Sequence, residues 1–288
     1  MEPEVNTIPA RVRLELAHAA VQRVAELSGA DVFHLKGLAL DPALVWEGRS
    51  GSDVDVLVRP AHLAAFLDAL SAAGWRIETD FDENSSFAHA ATYWSDTWGH
   101  VDVHRFYPGL SGSPSDTFDQ LTRHARTRTL GGVECPVPTV GVQRLVLLLH
   151  AARGMGGKEL QDLKTSWFDA TPAQQDEVRA LVDEFGAQLA FAAALGHLDK
   201  YRTAREYDLW RVASQGGTRF EDWWARIKAA PTRREALLLV LRAPLVNVRH
   251  LAALWGRTPT KREILREFFA RPARGVREEI DRLREKHA

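Results

Sequence analysis

Two different hydrophobic periods occur in the first half of the chain. Apolar residues recur at helical spacing over residues 9–28, which predicts a helix that ends at Gly29. Two further helices are predicted over 38–46 and 60–73, the second ended by Gly74. Short apolar or alternating stretches predict five strands, at 31–35, 53–59, 75–79, 87–94 and 100–106.

The hydrophobic pattern changes after residue 138, and residues 139–288 are predicted to be almost entirely helical. A helix over 116–126 and a hairpin over 128–138, turning at Gly131-Gly132, come before the change. Glycine and proline breaks then separate helices predicted at 140–153, 158–169, 172–195, 199–213, 218–229, 232–254, 260–270 and 273–287. We therefore expect an α+β protein: a mixed sheet with flanking helices over 1–138, followed by an all-helical region over 139–288.

Composition narrows the class of protein. The 288 residues include one cysteine, Cys135, so neither an internal disulfide nor a cysteine-based metal site can form. No apolar run reaches the ~18 residues of a membrane span, and the first residues lack the pattern of a secretory signal. We expect a cytoplasmic protein that does not bind or span a membrane.

Charge is unevenly distributed along the chain. Residues 201–288 hold 20 Lys and Arg against 11 Asp and Glu, whereas residues 1–200 hold 17 against 27. A basic second half could attract a polyanion such as RNA. The alternative is a set of solvated, arginine-rich helices, and the sequence slightly favours it.

The most informative motif is Gly-Ser-Asp-Val-Asp-Val-Leu-Val at 51–58. Asp53 and Asp55 are two residues apart on a predicted strand, so both carboxylates project from the same face. Two carboxylates this close repel each other, and a divalent cation such as Mg²⁺ would relieve the repulsion. The alternative is a pair of solvent-facing acids on an edge strand.

A third carboxylate, Asp102, lies on another alternating strand, where it shares a face with His100 and His104. A neighbouring strand that supplied Asp102 would complete a cluster for two metal ions, the arrangement that supports in-line phosphoryl transfer. Asp102 could also accept the proton of an attacking hydroxyl. Alternatively, it is a strand acid in a salt bridge with Arg105 or His104.

Two basic features accompany the acids. Lys36-Gly37 lies at a predicted strand-to-helix junction, where free N–H groups and a cation can hold phosphates, although such a pair is often an ordinary turn. Arg49, four residues before Asp53, could neutralise the carboxylates or bind a triphosphate oxygen. His150 follows a strongly apolar run and is either a buried histidine or a contact to nucleotide or acceptor.

These residues resemble a known pattern. A strand, a glycine turn, an Asp-x-Asp strand and a later Asp strand are similar to the DNA polymerase β-like nucleotidyltransferase superfamily. Lys36-Gly37, Arg49 with the 53–58 strand, and Val-Asp-Val-His at 101–104 resemble more closely its bacterial family of uncharacterised nucleotidyltransferases. Leu-Leu-Leu-His-Ala-Ala-Arg at 147–153 resembles a helical motif of that family.

The resemblance implies a catalytic domain over 1–138 and a helical domain over 139–288 that completes the nucleotide and acceptor cleft. Asp53, Asp55 and Asp102 would be the catalytic, Mg²⁺-binding residues, with two ions expected. Lys36, Gly37, Arg49 and Ser52 would bind the nucleotide, and His104 and His150 would have secondary roles. Because Gly51-Ser52 directly precedes the acids, Lys36-Gly37 would carry the main phosphate role.

The implied reaction moves an NMP, most simply AMP from ATP, onto a hydroxyl of a small molecule or peptide and releases pyrophosphate. One alternative keeps the chemistry but uses tRNA, another RNA or a protein as the acceptor, as toxin-like nucleotidyltransferases do. A second alternative is a nucleotide-binding module without catalysis. A third, a metal-dependent phosphohydrolase, depends on His100 and His104.

Overall fold

The computed structural model describes residues 8–154, 156–242, 255, 257–267 and 270. These residues divide into two compact units, one within 1–151 and 156–191 and the other within 152–155 and 192–288. The first unit holds the strands and the helices around them, and the second is helical where it is described. The α+β fold class predicted from the sequence is confirmed; the division after residue 138 remains a proposal.

A five-stranded mixed sheet forms the centre of the first unit. Its strands are β1 Val32–His34, β2 Asp53–Val58, β3 Arg76–Thr79, β4 Ala90–Ser95 and β5 Gly99–His104. Their spatial order is β1-β2-β5-β4-β3; β2 and β5 run parallel, and the other neighbours are antiparallel. A separate hairpin of β6 Ala125–Leu130 and β7 Val133–Pro138 turns at Gly131 and Gly132, as predicted.

Alternation along β2 and β5 separates the two faces of this sheet. Val54, Val56, Val101 and Val103 have no exposed surface and belong to the main apolar core. The helices α1 Ala10–Ser28 and α2 Leu63–Ala72 contribute further residues to this core. Apolar burial on this face supplies the main stabilisation of the sheet, and it leaves the intervening polar residues on the other face.

The remaining helices follow the predicted order with shifted ends, with two exceptions. These helices are α3 Phe81–Asn84, α4 Pro114–Arg123, α5 Val140–Ala151, α6 Gly157–Leu163, α7 Pro172–Glu184, α8 Gln188–Ala194, α9 Tyr207–Gln215, α10 Arg219–Ala229 and α11 Arg233–Arg242. The exceptions are the short α3, which was not predicted, and α7 and α8, which were predicted as one helix. A π-helical turn, Lys164–Phe168, continues α6. Residues 261–267 are also helical, whereas the predicted helix 273–287 and the end of 232–254 lie outside the described residues.

Several boundaries predicted from the sequence are wrong. The helix predicted over 199–213 begins only at Tyr207, after a 3₁₀ turn at Leu198–Tyr201. Residues 38–46 form two short 3₁₀ turns, because Pro42 forces extended backbone at Asp41, whose side chain caps the second turn. The helix predicted over 172–195 breaks at Gly186, which has a φ of 59° and can follow a helix end without strain. The strand predicted from residue 87 begins at Ala90.

Among the described residues, no helix is both long and apolar enough to cross a membrane.

Candidate active site

Strand pairing brings the three predicted carboxylates to one face of the sheet. Asp55 and Asp102 are partners in the parallel register of β2 and β5, and Asp53 is the partner of His100. Partners on adjacent strands present their side chains on the same face, about 5 Å apart. The sequence alone could not show that Asp102 lies beside the Asp-x-Asp pair; the register does.

Asp55 is buried and held by two positive or proton-donating groups. Lys36 Nζ lies 2.8 Å from its Oδ1, and His104 Nε2 lies 2.9 Å from the same oxygen. Burial alone would raise the pKa of Asp55, but the Lys36 charge and the His104 hydrogen bond outweigh it and hold the pKa below its ordinary value. Asp55 is therefore a fixed carboxylate anion, with both contacts on one of its two oxygens.

Asp102 has the opposite electrostatic environment. It is half-buried and accepts a hydrogen bond of 2.6 Å from Thr92 Oγ1. Burial and the negative charge of Asp55 raise its pKa, and Asp53 adds to this effect. The Asp102 carboxylate is thus more basic than an ordinary aspartate, and no Lys or Arg among the described residues forms an ion pair with it.

Asp53 lies at the start of β2, beside the Lys36-Gly37 turn. Its Oδ1 accepts a long hydrogen bond of 3.4 Å from the exposed Ser52 hydroxyl. Gly37 has a φ of 64°, and a Cβ on it would lie 3.4 Å from the Asp53 carbonyl oxygen. A Cβ on Gly51 would lie 3.3 Å from Gly37 Cα, so the two backbone segments are closely packed.

The donor set suits a hard divalent cation. Carboxylate oxygens are the protein ligands that Mg²⁺ prefers, and a cation would offset the like charges that raise the pKa of Asp102. Over the described part of the chain, however, no three His, Cys, Asp or Glu side chains converge closely enough to hold a metal ion in their present rotamers. Binding of an ion would therefore require the partly exposed Asp53 and Asp102 side chains to change rotamer.

Arg49 lies in a different environment from the one expected. Its Nε and Nη2 donate to the two oxygens of Asp162 on α6, at 2.7 and 2.9 Å, and both side chains are almost completely buried. Trp46 Nε1 donates to the same Asp162 at 2.8 Å. Arg49 therefore anchors the 46–49 loop to α6, and a role for it in nucleotide binding remains a prediction.

His104 and His150 differ in their relation to the site. His104 is buried on β5 in direct contact with Asp55, with its Nδ1 buried and without a hydrogen-bond partner. His150 is half-buried in the last turn of α5, an element separate from the sheet that carries the carboxylates.

Sequence reasoning missed Thr92 and Asp162. Thr92 shares an alternating strand with Trp94, and this pattern could have placed both on the carboxylate face. Asp162 lies 113 positions from Arg49, and no local signal links them.

An Asp-x-Asp strand, a third carboxylate in register on the parallel neighbour and a Lys-Gly turn beside them are the arrangement expected of a nucleotidyltransferase. The family described as uncharacterised nucleotidyltransferase matches residues 7–202, more than half of the chain, and this protein belongs to that family. The resemblance predicted from the motifs is confirmed. No curated protein matches the sequence.

Solved structures of nucleotidyltransferases are remotely similar. The lincomycin-bound lincosamide antibiotic adenylyltransferase LnuA is 13% identical over 58% of this chain and 95% of its own, with a TM-score of 0.34. The antibiotic-resistance factor ANT(2'')-Ia is 10% identical over 67% and 95%, with a TM-score of 0.37. An antigenic nucleotidyltransferase-like protein from Paracoccidioides brasiliensis is 14% identical over 64% and 92%, with a TM-score of 0.37.

Proposed function

We propose that this nucleotidyltransferase moves an NMP, most simply AMP from ATP, onto a hydroxyl of a small molecule or peptide and releases pyrophosphate. The observation that carries the proposal is the register of β2 and β5, which pairs Asp55 with Asp102 and adds Asp53 on the same face. We also propose that it works in the cytoplasm, in keeping with its single, buried Cys135.

The donor end of the site would hold the triphosphate. Lys36 is half-buried and its ammonium lies 2.8 Å from Asp55 Oδ1, so it could bind phosphate oxygens from the same position. Because Gly37 has no Cβ, phosphates could approach the backbone of this turn closely, beside Asp53. Mg²⁺, held by Asp53, Asp55 and Asp102, would neutralise charge on the phosphates and orient them.

The transfer step needs a base at the acceptor. The acceptor oxygen forms a bond to the α-phosphorus while the bond from that phosphorus to the leaving pyrophosphate oxygen breaks, and the hydroxyl proton passes to Asp102. Asp102 is partly exposed on the carboxylate face, in register with Asp55, so its carboxylate can take this role. The chain contributes alignment and charge, which account for most of the catalysis in phosphoryl transfer.

His104 is a positioning residue in this scheme. Its Nε2–H donates to Asp55 Oδ1, so the histidine fixes the carboxylate rotamer without touching the nucleotide. With both of its contacts on Oδ1, Asp55 would present Oδ2 to a ligand. We infer that His104 matters for the position of Asp55 and not for proton transfer.

The experiment is a labelling assay with three acceptor fractions. ATP labelled at the α-phosphate is incubated with Mg²⁺, the protein, and separately a small-molecule extract, total RNA or total protein. We expect label to enter the small-molecule fraction with wild type and not with Asp53→Asn. In a parallel reaction with ATP labelled at the γ-phosphate, we expect the label to leave as pyrophosphate. Transfer by Asp53→Asn at most of the wild-type rate would contradict the assignment.

RNA or protein as the acceptor is the second candidate. The excess of basic residues in 201–288 could attract such a polyanion. Label entering RNA, with binding that weakens steeply as salt rises, would establish this alternative. A module without catalysis is disfavoured, because all three carboxylates are present on one face.

A further inference from the structure

The direction of the reaction limits where the acceptor can bind, given the proposed function. Lys36 and Gly37 follow β1, on one side of the carboxylates. In an in-line displacement the attacking oxygen approaches opposite the leaving group. A pyrophosphate held at Lys36 and Gly37 therefore requires an acceptor on the other side, where β5, β4 and β3 lie.

A continuous cross-strand row lies on that side. Asp53 is paired with His100, His100 with Trp94, and Trp94 with Arg76, so the row runs from the carboxylates across the open face of the sheet. At about 4.8 Å per strand, Trp94 lies roughly 10 Å from Asp53. This distance suits one ring of an acceptor between the indole and the reacting phosphorus.

The aromatic part of this row is fixed but accessible. The Trp94 and His100 rings have centroids 4.5 Å apart, and Trp94 Nε1 donates to Asp96 at 3.0 Å. Both side chains are partly exposed, although their neighbours Tyr93 and Val101 are buried. An indole held in one orientation at the surface offers a flat apolar face to a ring.

Carboxylates surround this aromatic pair. Glu78 Oε2 lies 3.0 Å from His100 Nε2, and its side chain is 54% exposed. Arg76 is already paired with Asp96 at 3.0 Å, and Asp102 adds another negative charge on the same face. An amino group would be attracted here and a phosphate backbone repelled.

We propose that Trp94, His100 and Glu78 form the acceptor subsite, and that the acceptor is a hydroxylated ring bearing an amino group. The ring would stack on Trp94 with its amine near Glu78, which leaves a hydroxyl facing Asp102. This inference deepens the proposed function and depends on it. It also favours a small molecule over RNA as the acceptor.

The test measures binding of D-glucosamine, with D-glucose as the matched ring lacking the amine. Saturation-transfer NMR is recorded with Mg²⁺ and α,β-methylene-ATP, an analogue that cannot transfer AMP. We expect glucosamine to bind more tightly than glucose, Trp94→Ala to weaken it roughly tenfold, and Glu78→Gln to remove the preference for the amine. Trp224→Ala, which changes a half-exposed tryptophan on α10, should have no effect.

The outcomes distinguish failure of the acceptor subsite from failure of the proposed nucleotidyltransferase function. If the ATP analogue binds but glucosamine gives no signal, or gives the same signal with both subsite variants as with wild type, the subsite is wrong and the nucleotidyltransferase assignment stands. If the ATP analogue itself fails to bind, the proposed function fails and the subsite with it. Because Glu78 is exposed, Glu78→Gln remains informative even if Trp94→Ala does not fold.

Discussion

The two faces of the central sheet are made by the same strands and have opposite properties. On one face, Val54, Val56, Val101 and Val103 are completely buried among apolar residues of α1 and α2. On the other face, Asp53 and Asp102 are partly exposed, and Asp55 is buried in contact with Lys36 and His104.

The difference shows how an alternating strand separates stability from chemistry. Valine burial fixes the backbone of β2 and β5, and the fixed backbone holds three carboxylates that repel each other. Such repulsion is tolerable only on a rigid support with nearby cations. Changes on the core face should therefore alter the free energy of unfolding, and changes on the carboxylate face should alter activity.

The largest expected effect is on the carboxylate face. Asp53→Asn should lower the rate of AMP transfer by ~10³-fold or more, because it removes a charge that the proposed metal and phosphate site requires. The free energy of unfolding should change little, since Asp53 makes one long hydrogen bond, to Ser52.

The labelling assay and urea unfolding measure the two quantities. The matched control is Asp68→Asn, an exposed aspartate on α2, on the core side of the sheet. Equal loss of activity in both variants would contradict the claim that activity depends on the carboxylate face and not on the core side of the sheet.

Substitution of Arg49 tests whether this residue contributes to stability or to the nucleotide site. Arg49→Met leaves Asp162 buried without its cation and should cost about 3 kcal/mol in the free energy of unfolding. Arg49→Met combined with Asp162→Leu should cost less, because no buried charge remains. Arg23→Met, which breaks an exposed ion pair with Glu26, should cost under ~1 kcal/mol.

Nucleotide titration sharpens this prediction. A folded Arg49→Met protein that binds ATP normally would make Arg49 an anchor of its loop. If the variant keeps its stability and loses ATP affinity, the structural account of Arg49 is wrong and the residue belongs to the phosphate site.

Two adjacent residues on β5 compare the faces directly. Val101→Ala should reduce the free energy of unfolding by about 2 kcal/mol, because it removes buried methyl groups and leaves a cavity. His100→Ala, on the opposite face, should change it by under ~0.5 kcal/mol. Urea unfolding of both variants measures this contrast, and similar losses would remove the distinction.

A pH-dependent effect is predicted from two histidines on the core face. His18 Nδ1 and His34 Nδ1 are 2.9 Å apart and buried. Burial lowers the pKa of His18 to about 4 and that of His34 well below its ordinary value. Between pH 6.5 and about 4 the unfolded chain binds protons that the folded chain does not, so stability falls as pH falls, by up to about 1.4 kcal/mol per pH unit for each histidine.

Urea unfolding at pH 7, 6 and 5 measures this slope. His18→Gln removes one of the two titrating groups, so its stability should depend less on pH than that of wild type. The same slope in both proteins would contradict the account.

The sequence was sufficient for the features that depend on local pattern. The alternation of Asp53, Val54, Asp55 and Val56 predicted which side chains share a face, and Gly131-Gly132 predicted the hairpin turn. Contacts between distant residues were out of reach. The pairing of Asp55 with Asp102 depends on strand order, and the Arg49–Asp162 ion pair depends on the packing of α6.

Boundaries failed where one residue overrode a periodic pattern. The apolar spacing over 38–46 and 172–195 is helical, but Pro42 and Gly186 impose backbone conformations that end a helix. The partner of Lys36 could not be predicted either. The sequence indicated that Lys36 binds phosphate, whereas in the structure its ammonium forms an ion pair with Asp55.

The most direct test of the central claim is calorimetric titration of ATP, GTP, CTP and UTP, each with Mg²⁺, into wild type and Asp53→Asn. The account predicts that one triphosphate, most simply ATP, binds wild type only when Mg²⁺ is present and does not bind the variant. Failure of all four to bind wild type, or equal binding to the variant, would contradict the claim that these carboxylates form a metal-dependent nucleotide site.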